Sequence, residues 1–537
     1  MPAIEVPALI AGGSLVGMST ALLLGHHGVR AMAVENHRGT AIHPRAAQIS
    51  QRTMEVFRSV GVEQIVARKS ADQFVQDGAI VAVETLAGGV TASYIANLNE
   101  GVADISPTKR VFISQSMLEP LLKARALELG ADLRFGTEFV SFEQDAEGVT
   151  AVIRDRNSSR TTEVRARYLI AADGARSPIR EKLGIRMAGR GAFSRSITIY
   201  FRANVEPLLR GRNLTVIYVL QPALRGFFRF EKPFDSGFLV VNETGDRAHP
   251  VTDVSSGLTD ERCVEMVRLA LGAPEIAVSI QGVMHWEAAS ATAERFRSGR
   301  IFFAGDSAHV MPPNGGFGGN TGVQDAHNLA WKLALVLRGQ AGPELLSTYE
   351  QERRPAAAFT AEQAYTRYVT RIAPYLSPGG MQPLAPDLNI ELGYCYHSPA
   401  VISEDPAEAR GHENPRESRG RPGTRAPHVY LSRVGERIST LDLYGRNFVL
   451  LTGPEGDVWG ECARDAVIRE GIHLDVHHVG SAEELADPGG AFCEAHGIAP
   501  SGCLLVRPDG FVGWRARTSE DASAARLRGA LAALRCL

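Results

Sequence analysis

The strongest chemical signal in the chain is a glycine-rich run that follows a short apolar segment, residues 301–304 (IFFA). Gly305-Asp306 comes next, then His309 and the pair Pro312-Pro313, and five glycines fall between residues 315 and 322. A helical pattern follows. Glycine lets a backbone approach a ligand closely, so this loop can lay its amides against a planar ring. The planar cofactor that it suggests is flavin.

A second glycine loop lies near the start of the chain. An apolar strand is predicted at residues 7–11, a helix at 18–27 and a second strand at 29–34, which ends at Glu35. The loop between the first strand and the helix consists of Gly12, Gly13, Ser14, Leu15, Val16 and Gly17. A small Ser14 at the second glycine position still lets the backbone reach a pyrophosphate. Glu35 can accept hydrogen bonds from an adenosine ribose, so the segment predicts a dinucleotide-binding βαβ unit.

Two further motifs have more than one interpretation. Asp173-Gly174 closes another predicted strand, and it is either an ordinary turn or part of a cofactor site. Arg45, in the stretch His43-Pro44-Arg45, is either a solvated loop residue or a brace for the cofactor's pyrophosphate.

Composition excludes several function classes. The chain has 537 residues, 57 Lys and Arg against 60 Asp and Glu, and a net charge of −3, which gives no electrostatic footprint for nucleic acid or an anionic membrane. The six cysteines form no C-x-x-C pair, which argues against a metal site or a redox disulfide. No apolar stretch reaches the ~18 residues of a membrane span, and there is no room for a signal peptide, so we expect a cytoplasmic protein.

The predicted fold class is α/β, with a discontinuous nucleotide-binding domain formed by residues 1–177 and 285–375. Residues 178–284 are rich in alternating β-type segments and predict an inserted antiparallel-sheet substrate domain, to which part of 60–110 contributes. A connector rich in Pro, Gly, Glu and Arg is expected at 376–427, and a separate terminal domain at 428–537.

The motifs together resemble the class A FAD-dependent aromatic monooxygenases, the para-hydroxybenzoate and phenol hydroxylase group. The resemblance rests on GGSLVG at 12–17, Glu35, HPRA at 43–46, Arg110 with Gln115, ADGARSPIR at 172–180, AGDSAH at 304–309 and GGNTGVQDAHNLAWKL at 318–333. Within this group, the chain most resembles the bacterial hydroxylases of aromatic polyketides, such as aklavinone and tetracenomycin hydroxylases. Their fold implies a Rossmann-like FAD domain and a C-terminal thioredoxin-like domain, which here lacks redox cysteines and is structural.

The resemblance also implies roles for individual residues. The loop residues Gly12, Gly13, Ser14, Leu15 and Gly17 would hold the FAD pyrophosphate, Glu35 the adenosine ribose, Arg45 and Gln115 the middle of the cofactor, and Asp306 its ribityl or pyrophosphate oxygens. The backbone near Val140 would border the adenine, Asp173 would support both the cofactor and the approach of the nicotinamide, and Pro312, Gly318, Gly319 and Asn320 would line the isoalloxazine.

The implied reaction is hydroxylation of a polycyclic aromatic polyketide. FAD, reduced by transiently bound NADH or NADPH, would react with O2 to a hydroperoxide that transfers OH to an electron-rich ring. No catalytic side chain is assigned. His309 is either a general acid or, as we prefer, a hydrogen-bonded packing residue of the glycine-rich run at residues 305–322, which we call the flavin loop. Tyr200, Phe228 and Trp286 are weak candidates for the substrate pocket, because alternate strand positions face a core at least as often.

Two other functions stay open. The same scaffold could insert oxygen beside a ketone in a Baeyer–Villiger reaction, or the protein could be a catalytically silent FAD-binding or assembly protein. The expected partner is a small-molecule aromatic substrate, with the chain acting as a monomer or a homodimer.

Overall fold

The computed structural model describes residues 3–42, 48–246, 249–252, 254, 257–374, 376, 380–405, 407, 410–480 and 484–537. The elements up to residue 182 are β1 (Ile4–Ala11), α1 (Leu15–His26), β2 (Ala31–Glu35), β3 (Gln48–Ile49), α2 (Gln51–Ser59), α3 (Glu63–Gln73), β4 (Ala79–Val83), β5 (Val90–Ile95), β6 (Val111–Phe112), α4 (Gln115–Glu128), β7 (Asp132–Phe135), β8 (Thr137–Gln144), β9 (Val149–Asp155), β10 (Thr161–Ala171) and α5 (Pro178–Lys182).

The middle of the chain is mostly strand. Its elements are β11 (Met187–Arg202), α6 (Glu206–Leu209), β12 (Leu214–Gln221), β13 (Leu224–Glu231), β14 (Ser236–Asn242), β15 (Thr244–Asp246), β16 (His249–Thr252), α7 (Asp260–Leu271) and β17 (Ser279–Ala293). The next segment has β18 (Arg297–Ser298), β19 (Ile301–Phe303), a 3-10 turn (Gly305–Ser307), β20 (His309–Val310), α8 (Phe317–Leu337), a second 3-10 turn (Pro343–Ser347), α9 (Thr348–Arg371) and α10 (Asp387–Glu391).

The last segment alternates strands and helices. It contains β21 (Tyr430–Arg433), β22 (Glu436–Ser439), a 3-10 turn (Thr440–Leu443), β23 (Phe448–Thr452), α11 (Asp457–Glu470), β24 (Leu474–His478), α12 (Phe492–His496), β25 (Cys503–Val506), β26 (Val512–Ala516) and α13 (Ala524–Leu534). Among the residues that the structure describes, no helix is both long and apolar enough to cross a membrane.

The first sheet is the nucleotide-binding sheet that the sequence predicts. Its parallel strands run in the order β19-β10-β1-β2-β7, with β18 at one edge and the β8–β9 ribbon attached to β10. Ala11 is in register with both Val34 and Ala171, and Ala171 with Phe303. The carboxyl ends of these strands therefore meet at one edge, where open parallel sheets bind their ligands.

The second sheet forms the inserted domain, in the order β20-β17-β11-β14-β13-β12-β4-β5. Strands β4 and β5 come from the 60–110 region. The expected boundary at residue 284 falls inside β17, because this strand pairs with β11 all the way from Ser279 to Ala293. We therefore place the end of this domain near residue 293.

The terminal unit has a four-stranded sheet in the order β24-β23-β25-β26. Strand β23 is parallel to β24 and antiparallel to β25, and β25 is antiparallel to β26. This topology is compatible with the thioredoxin-like interpretation, which stays a prediction. All six cysteines are free thiols. The expected connector carries α10 and packs against this unit, since Tyr396 stacks on Phe511 with ring centroids 4.1 Å apart.

A buried ionic cluster joins the terminal unit to the helices behind the first sheet. Glu352 of α9 accepts hydrogen bonds from Lys332 Nζ at 2.7 Å and from Arg507 Nη1 and Nη2 at 2.7 and 2.8 Å. Asp509 accepts from Arg507 at 2.6 Å and from Asn328 Nδ2 at 3.2 Å. Burial opposes ionisation of Glu352, but Arg507 and Lys332 outweigh it and hold its pKa well below the usual range.

Removing the carboxylate at the centre of this cluster should destabilise the whole protein. Glu352→Gln leaves two buried cations short of a partner, a loss that costs about 3–5 kcal/mol. The free energy of unfolding in urea measures it. Glu138→Gln is the matched control, because Glu138 forms an exposed pair with Arg154 and should cost about 0–1 kcal/mol. Equal stability of the two variants would contradict a stabilising role for the cluster.

Candidate active site

The glycine loop at 12–17 is shaped by two close backbone approaches. Gly12 has a φ of 100°, and a Cβ there would collide with the carbonyl of Ala172. A Cβ at Gly17 would collide with the carbonyl of Gly12, so the first turn of α1 packs directly on the loop. These contacts leave the N-terminus of α1, which begins at Leu15, facing the edge of the sheet. A helix N-terminus at this place favours phosphate.

A side-chain triangle fixes the outer side of this loop. Ser14 Oγ donates to Glu119 Oε1 at 2.7 Å, and Gln115 Nε2 donates to Ser14 Oγ at 2.8 Å and to Glu119 Oε1 at 2.7 Å. The other oxygen of Glu119 accepts from the backbone N–H of Ala41 at 2.6 Å. Sequence reasoning named Ser14 and Gln115 but missed Glu119. Its signal was present, since Gln115 and Glu119 are four residues apart on one face of α4.

Glu35 ends β2 beside the loop. Its Oε2 accepts from the backbone N–H of Gly13 at 2.7 Å, and its Oε1 accepts from that of His37 at 2.9 Å. The carboxylate is thereby oriented at the edge of the sheet where a ribose would have to lie. We propose that it keeps the role that the sequence predicts.

Asp173 follows β10 at the same edge. Burial raises the pKa of its carboxyl group. Its Oδ2 accepts from the N–H of Ile179 at 3.4 Å, whereas its buried Oδ1 has no hydrogen-bond partner among the described residues. Arg180, in the helix that follows, donates to the carbonyl of Ser307 at 2.9 Å. The Asp173 motif and the Asp306 turn are therefore joined directly.

The Asp306 turn is held from behind by Asp325 of α8. Asp306 itself is exposed at the sheet edge. Asp325 accepts from the N–H of Gly305 at 3.1 Å, from His309 Nε2 at 2.7 Å and from Arg353 Nε at 2.8 Å. Burial opposes its ionisation, but His309 and Arg353 outweigh burial and lower its pKa. Sequence reasoning quoted this residue within a motif without giving it a role.

His309 is fully buried and pairs with Asp325. This geometry favours the packing interpretation of His309 over the general acid.

The start of α8 lies beside these loops and is fixed by the side chain of Asn320. Asn320 Oδ1 accepts from the N–H of Ser50 at 2.9 Å, and its Nδ2 donates to the carbonyls of Gln48 and Gly316 at 2.9 and 2.7 Å. This side chain thus fastens the helix to β3. Pro312 is buried in the preceding loop, and Gly318 and Gly319 lie in the first turn of α8.

The residues at this edge fit FAD. The side-chain-free loop at Gly12, the oriented carboxylate of Glu35 and the unsatisfied Oδ1 of Asp173 lie at one edge of the sheet. Arg45 lies outside the described residues. Val140 sits at an irregularity in the pairing of β8 with β9, with its side chain exposed, and its expected place beside the adenine stays a prediction.

The second sheet turns an aromatic face toward the flavin loop. Tyr218, Phe227 and Trp286 belong to one cluster with Phe112 and Tyr368 of the first domain. Tyr200 joins this face through Phe238, whose ring contacts both Tyr200 and Phe227.

Phe228 lies on the opposite face of the sheet. It is fully buried against α7, in a separate cluster with Met266 and Val267. We therefore remove Phe228 from the expected pocket, because neighbouring residues of a strand point to opposite faces. Tyr218, which sequence reasoning missed, lies on the aromatic face instead. Its hydroxyl accepts from Asn314 Nδ2 of the flavin loop at 3.4 Å.

Comparison with known proteins agrees with this architecture. A family model described as FAD binding domain matches residues 5–364, and one described as aromatic-ring hydroxylase, C-terminal, matches residues 419–535. A 4-methyl-5-nitrocatechol 5-monooxygenase of a Burkholderia species is 56% identical over 541 residues, with 100% of this chain and 98% of the relative covered. Tetracenomycin A2 monooxygenase-dioxygenase of Streptomyces glaucescens is 41% identical, with 98% and 96% covered.

Solved structures give the same result. The ternary complex of aklavinone-11 hydroxylase with FAD and aklavinone superposes with a TM-score of 0.93 at 36% identity, covering 100% of both chains. Fold and site thus define a flavin-dependent monooxygenase. The chain belongs to the family of FAD-binding aromatic-ring hydroxylases, and the family resemblance predicted from the sequence is confirmed.

Asp325→Asn tests whether the flavin loop depends on its buried carboxylate. The amide keeps the size of the side chain but cannot balance Arg353, and one of its terminal atoms becomes a donor facing other donors. We expect FAD to bind about tenfold to hundredfold more weakly, as measured by fluorescence titration of the apoprotein. Asp145→Asn is the control, since Asp145 lies in an exposed turn. Wild-type FAD affinity in Asp325→Asn would contradict this role.

Proposed function

We propose that the protein uses NADH or NADPH and O2 to hydroxylate an electron-rich, polycyclic phenol or quinone of the polyketide type. The observation that carries this proposal is the contact between Asn314 and Tyr218, which joins the flavin loop to the aromatic face of the second sheet. Flat aromatic substrates pack favourably against such a face. Two relatives support the substrate class: the tetracenomycin A2 monooxygenase-dioxygenase at 41% identity and a putative polyketide hydroxylase of Streptomyces halstedii at 43%.

Within this proposal, bound FAD supplies the redox chemistry that activates O2. The chain's own residues bind and orient FAD and the substrate, and they exclude water from the site. The loops at Gly12 and Asp306 would hold the cofactor's polar parts, and the positive end of α8 would stabilise negative charge on the reduced flavin. Tyr218, Phe227 and Trp286 form the wall against which the substrate ring lies.

A second candidate substrate is a nitrocatechol. The identity of 56% to a 4-methyl-5-nitrocatechol 5-monooxygenase exceeds the 41% to the tetracenomycin enzyme, and this favours a smaller, more acidic phenol. Hydroxylation at a ring carbon that carries a nitro group would release nitrite. Hydroxylation at a C–H carbon would keep every substituent, so the two products are easily told apart.

A substrate panel decides between these candidates. The FAD-loaded protein is incubated with NADH or NADPH and with anthracyclinones, naphthacene quinones or 4-methyl-5-nitrocatechol, and oxygen uptake is followed against peroxide release. We expect coupled uptake with one class and a product one oxygen atom heavier, or nitrite for the nitrocatechol. A lactone, identified by mass and NMR, would instead show a Baeyer–Villiger reaction. NAD(P)H oxidation unresponsive to every aromatic, with FAD tightly bound, would show a silent FAD-binding protein.

Asp306→Ala tests the cofactor site. Loss of a carboxylate that accepts from FAD hydroxyls should weaken FAD binding about tenfold to hundredfold. The measurement is the flavin content of the purified variant and its affinity on titration. Asp235→Ala is the matched control, since Asp235 is an exposed aspartate beyond the FAD domain that pairs with Arg202. An Asp306→Ala protein that retains its full yellow cofactor would contradict the assignment.

The proposal includes a cytoplasmic location and a monomeric or homodimeric state. Sedimentation of the FAD-loaded protein distinguishes the two states.

A further inference from the structure

Arg229 of β13 is a buried cation without a counter-charge in the described part of the chain. Its side chain lies on the aromatic face of the second sheet, with the residue 5% exposed. The guanidinium carbon is 3.8 Å from the centre of the Phe112 ring and 5.2 Å from that of Phe74. No carboxylate of the described residues forms an ion pair with it, and burial lowers its pKa to about 9.

Several other buried arginines of this protein have such partners. The pairs are Arg110 with Glu391, Arg353 with Asp325, Arg425 with Glu55, Arg507 with Glu352 and Arg515 with Glu404. Arg180 forms no ion pair with a carboxylate among the described residues but donates to two backbone carbonyls. No hydrogen bond joins the Arg229 guanidinium to any residue that the structure describes, so its donors differ from those of the structural arginines. A buried charge left in this state is costly unless a ligand completes it.

A chain of contacts links Arg229 to the start of α8. Phe112, on which it stacks, is the register partner of Gln48 in the β3–β6 pair. The carbonyl of Gln48 accepts from Asn320 Nδ2 at the start of α8. Arg229 is therefore linked through the β3–β6 strand pair to the helix end that we propose to face the flavin ring. It also lies on the same face of the second sheet as Tyr218 and Phe227.

We propose that Arg229 binds an anionic oxygen of the aromatic substrate, so that the ring is recognised as its phenolate. Guanidinium groups form short, charge-assisted hydrogen bonds with oxyanions. The two phenyl rings hold the guanidinium plane by cation–π contact while its edge donates. The inference rests on the proposed function and specifies the charge state of the substrate, which both acidic nitrocatechols and hydroxyquinones can reach near neutral pH.

Binding of two coloured probes tests the proposal without turnover. The oxidised, FAD-loaded protein is titrated with 4-nitrocatechol and with 1,8-dihydroxyanthraquinone in the absence of NADH and NADPH, and difference spectra separate phenol from phenolate. With the wild type, we expect the phenolate spectrum at a pH below the probe's pKa in water. Arg229→Met should lose this spectrum and bind about tenfold to hundredfold more weakly. Arg229→Lys should keep the spectrum with weaker binding, because it retains the charge without the planar fork.

Two controls keep the test decisive. Arg202→Met removes an exposed arginine of the same sheet and should bind both probes like the wild type. 1,2-Dimethoxy-4-nitrobenzene keeps the ring and the nitro group of nitrocatechol but cannot ionise, so the wild type should bind it at least tenfold more weakly. This comparison needs no variant, and it stands even where Arg229→Met fails to fold, as judged by its FAD content and thermal melting.

The outcomes separate this inference from the proposed function. Equal binding of 4-nitrocatechol and its dimethyl ether by the wild type, or unchanged probe spectra in a folded Arg229→Met protein, would overturn the role of Arg229 while leaving hydroxylation intact. Failure of the wild type to bind either probe would overturn the substrate class and, with it, the role of Arg229. Bound phenolate in this assay, together with no hydroxylation of any compound of the substrate panel in the presence of NADH or NADPH, would support Arg229 and contradict the proposed hydroxylation.

Discussion

The site depends on one buried carboxylate, that of Asp325. It neutralises Arg353, holds His309 and accepts from the backbone of Gly305, so a single group fixes the turn that presents Asp306. The glycine-rich loop could not hold this conformation by itself, because glycines have no side chains to determine the shape of a loop. Glycine gives the loop access to the cofactor, and Asp325 gives it a defined conformation.

The same constraint extends to the terminal unit through two adjacent residues of α9. Arg353 meets Asp325 under the flavin loop, while Glu352 receives Lys332 of α8 and Arg507 of the terminal unit. Helix α8, whose N-terminus we propose to face the flavin ring, is thus held at its middle by Arg353 and Glu352. A terminal unit without redox cysteines can therefore contribute to the reaction by positioning, since buried ionic networks have little freedom to rearrange.

Sequence reasoning found what local geometry determines. The strand ends at Gly12, Glu35, Asp173 and Asp306 were predictable, because the turns after parallel strands need particular residues. Sequence reasoning could not find features that depend on contacts between residues far apart in the chain. Glu119 acts on Ser14, 105 residues away. The choice between Phe227 and Phe228 as the pocket residue depends on which face β13 turns inward, and both possibilities have the same alternation. The end of the substrate domain was misplaced because β17 continues without an interruption in its β-type pattern.

The arrangement around Arg229 explains how such a site could select substrates without a dedicated acid or base. His309, the one candidate proton donor of the flavin loop, is fully buried and committed to Asp325. In our proposal, a site that stabilises the phenolate makes the ring electron-rich before oxygen transfer. A guanidinium over two phenyl rings, with no carboxylate partner in the described part of the chain, provides that preference at the cost of a buried charge. Specificity in this protein would accordingly follow from the acidity of the substrate's hydroxyl group as much as from the shape of its rings.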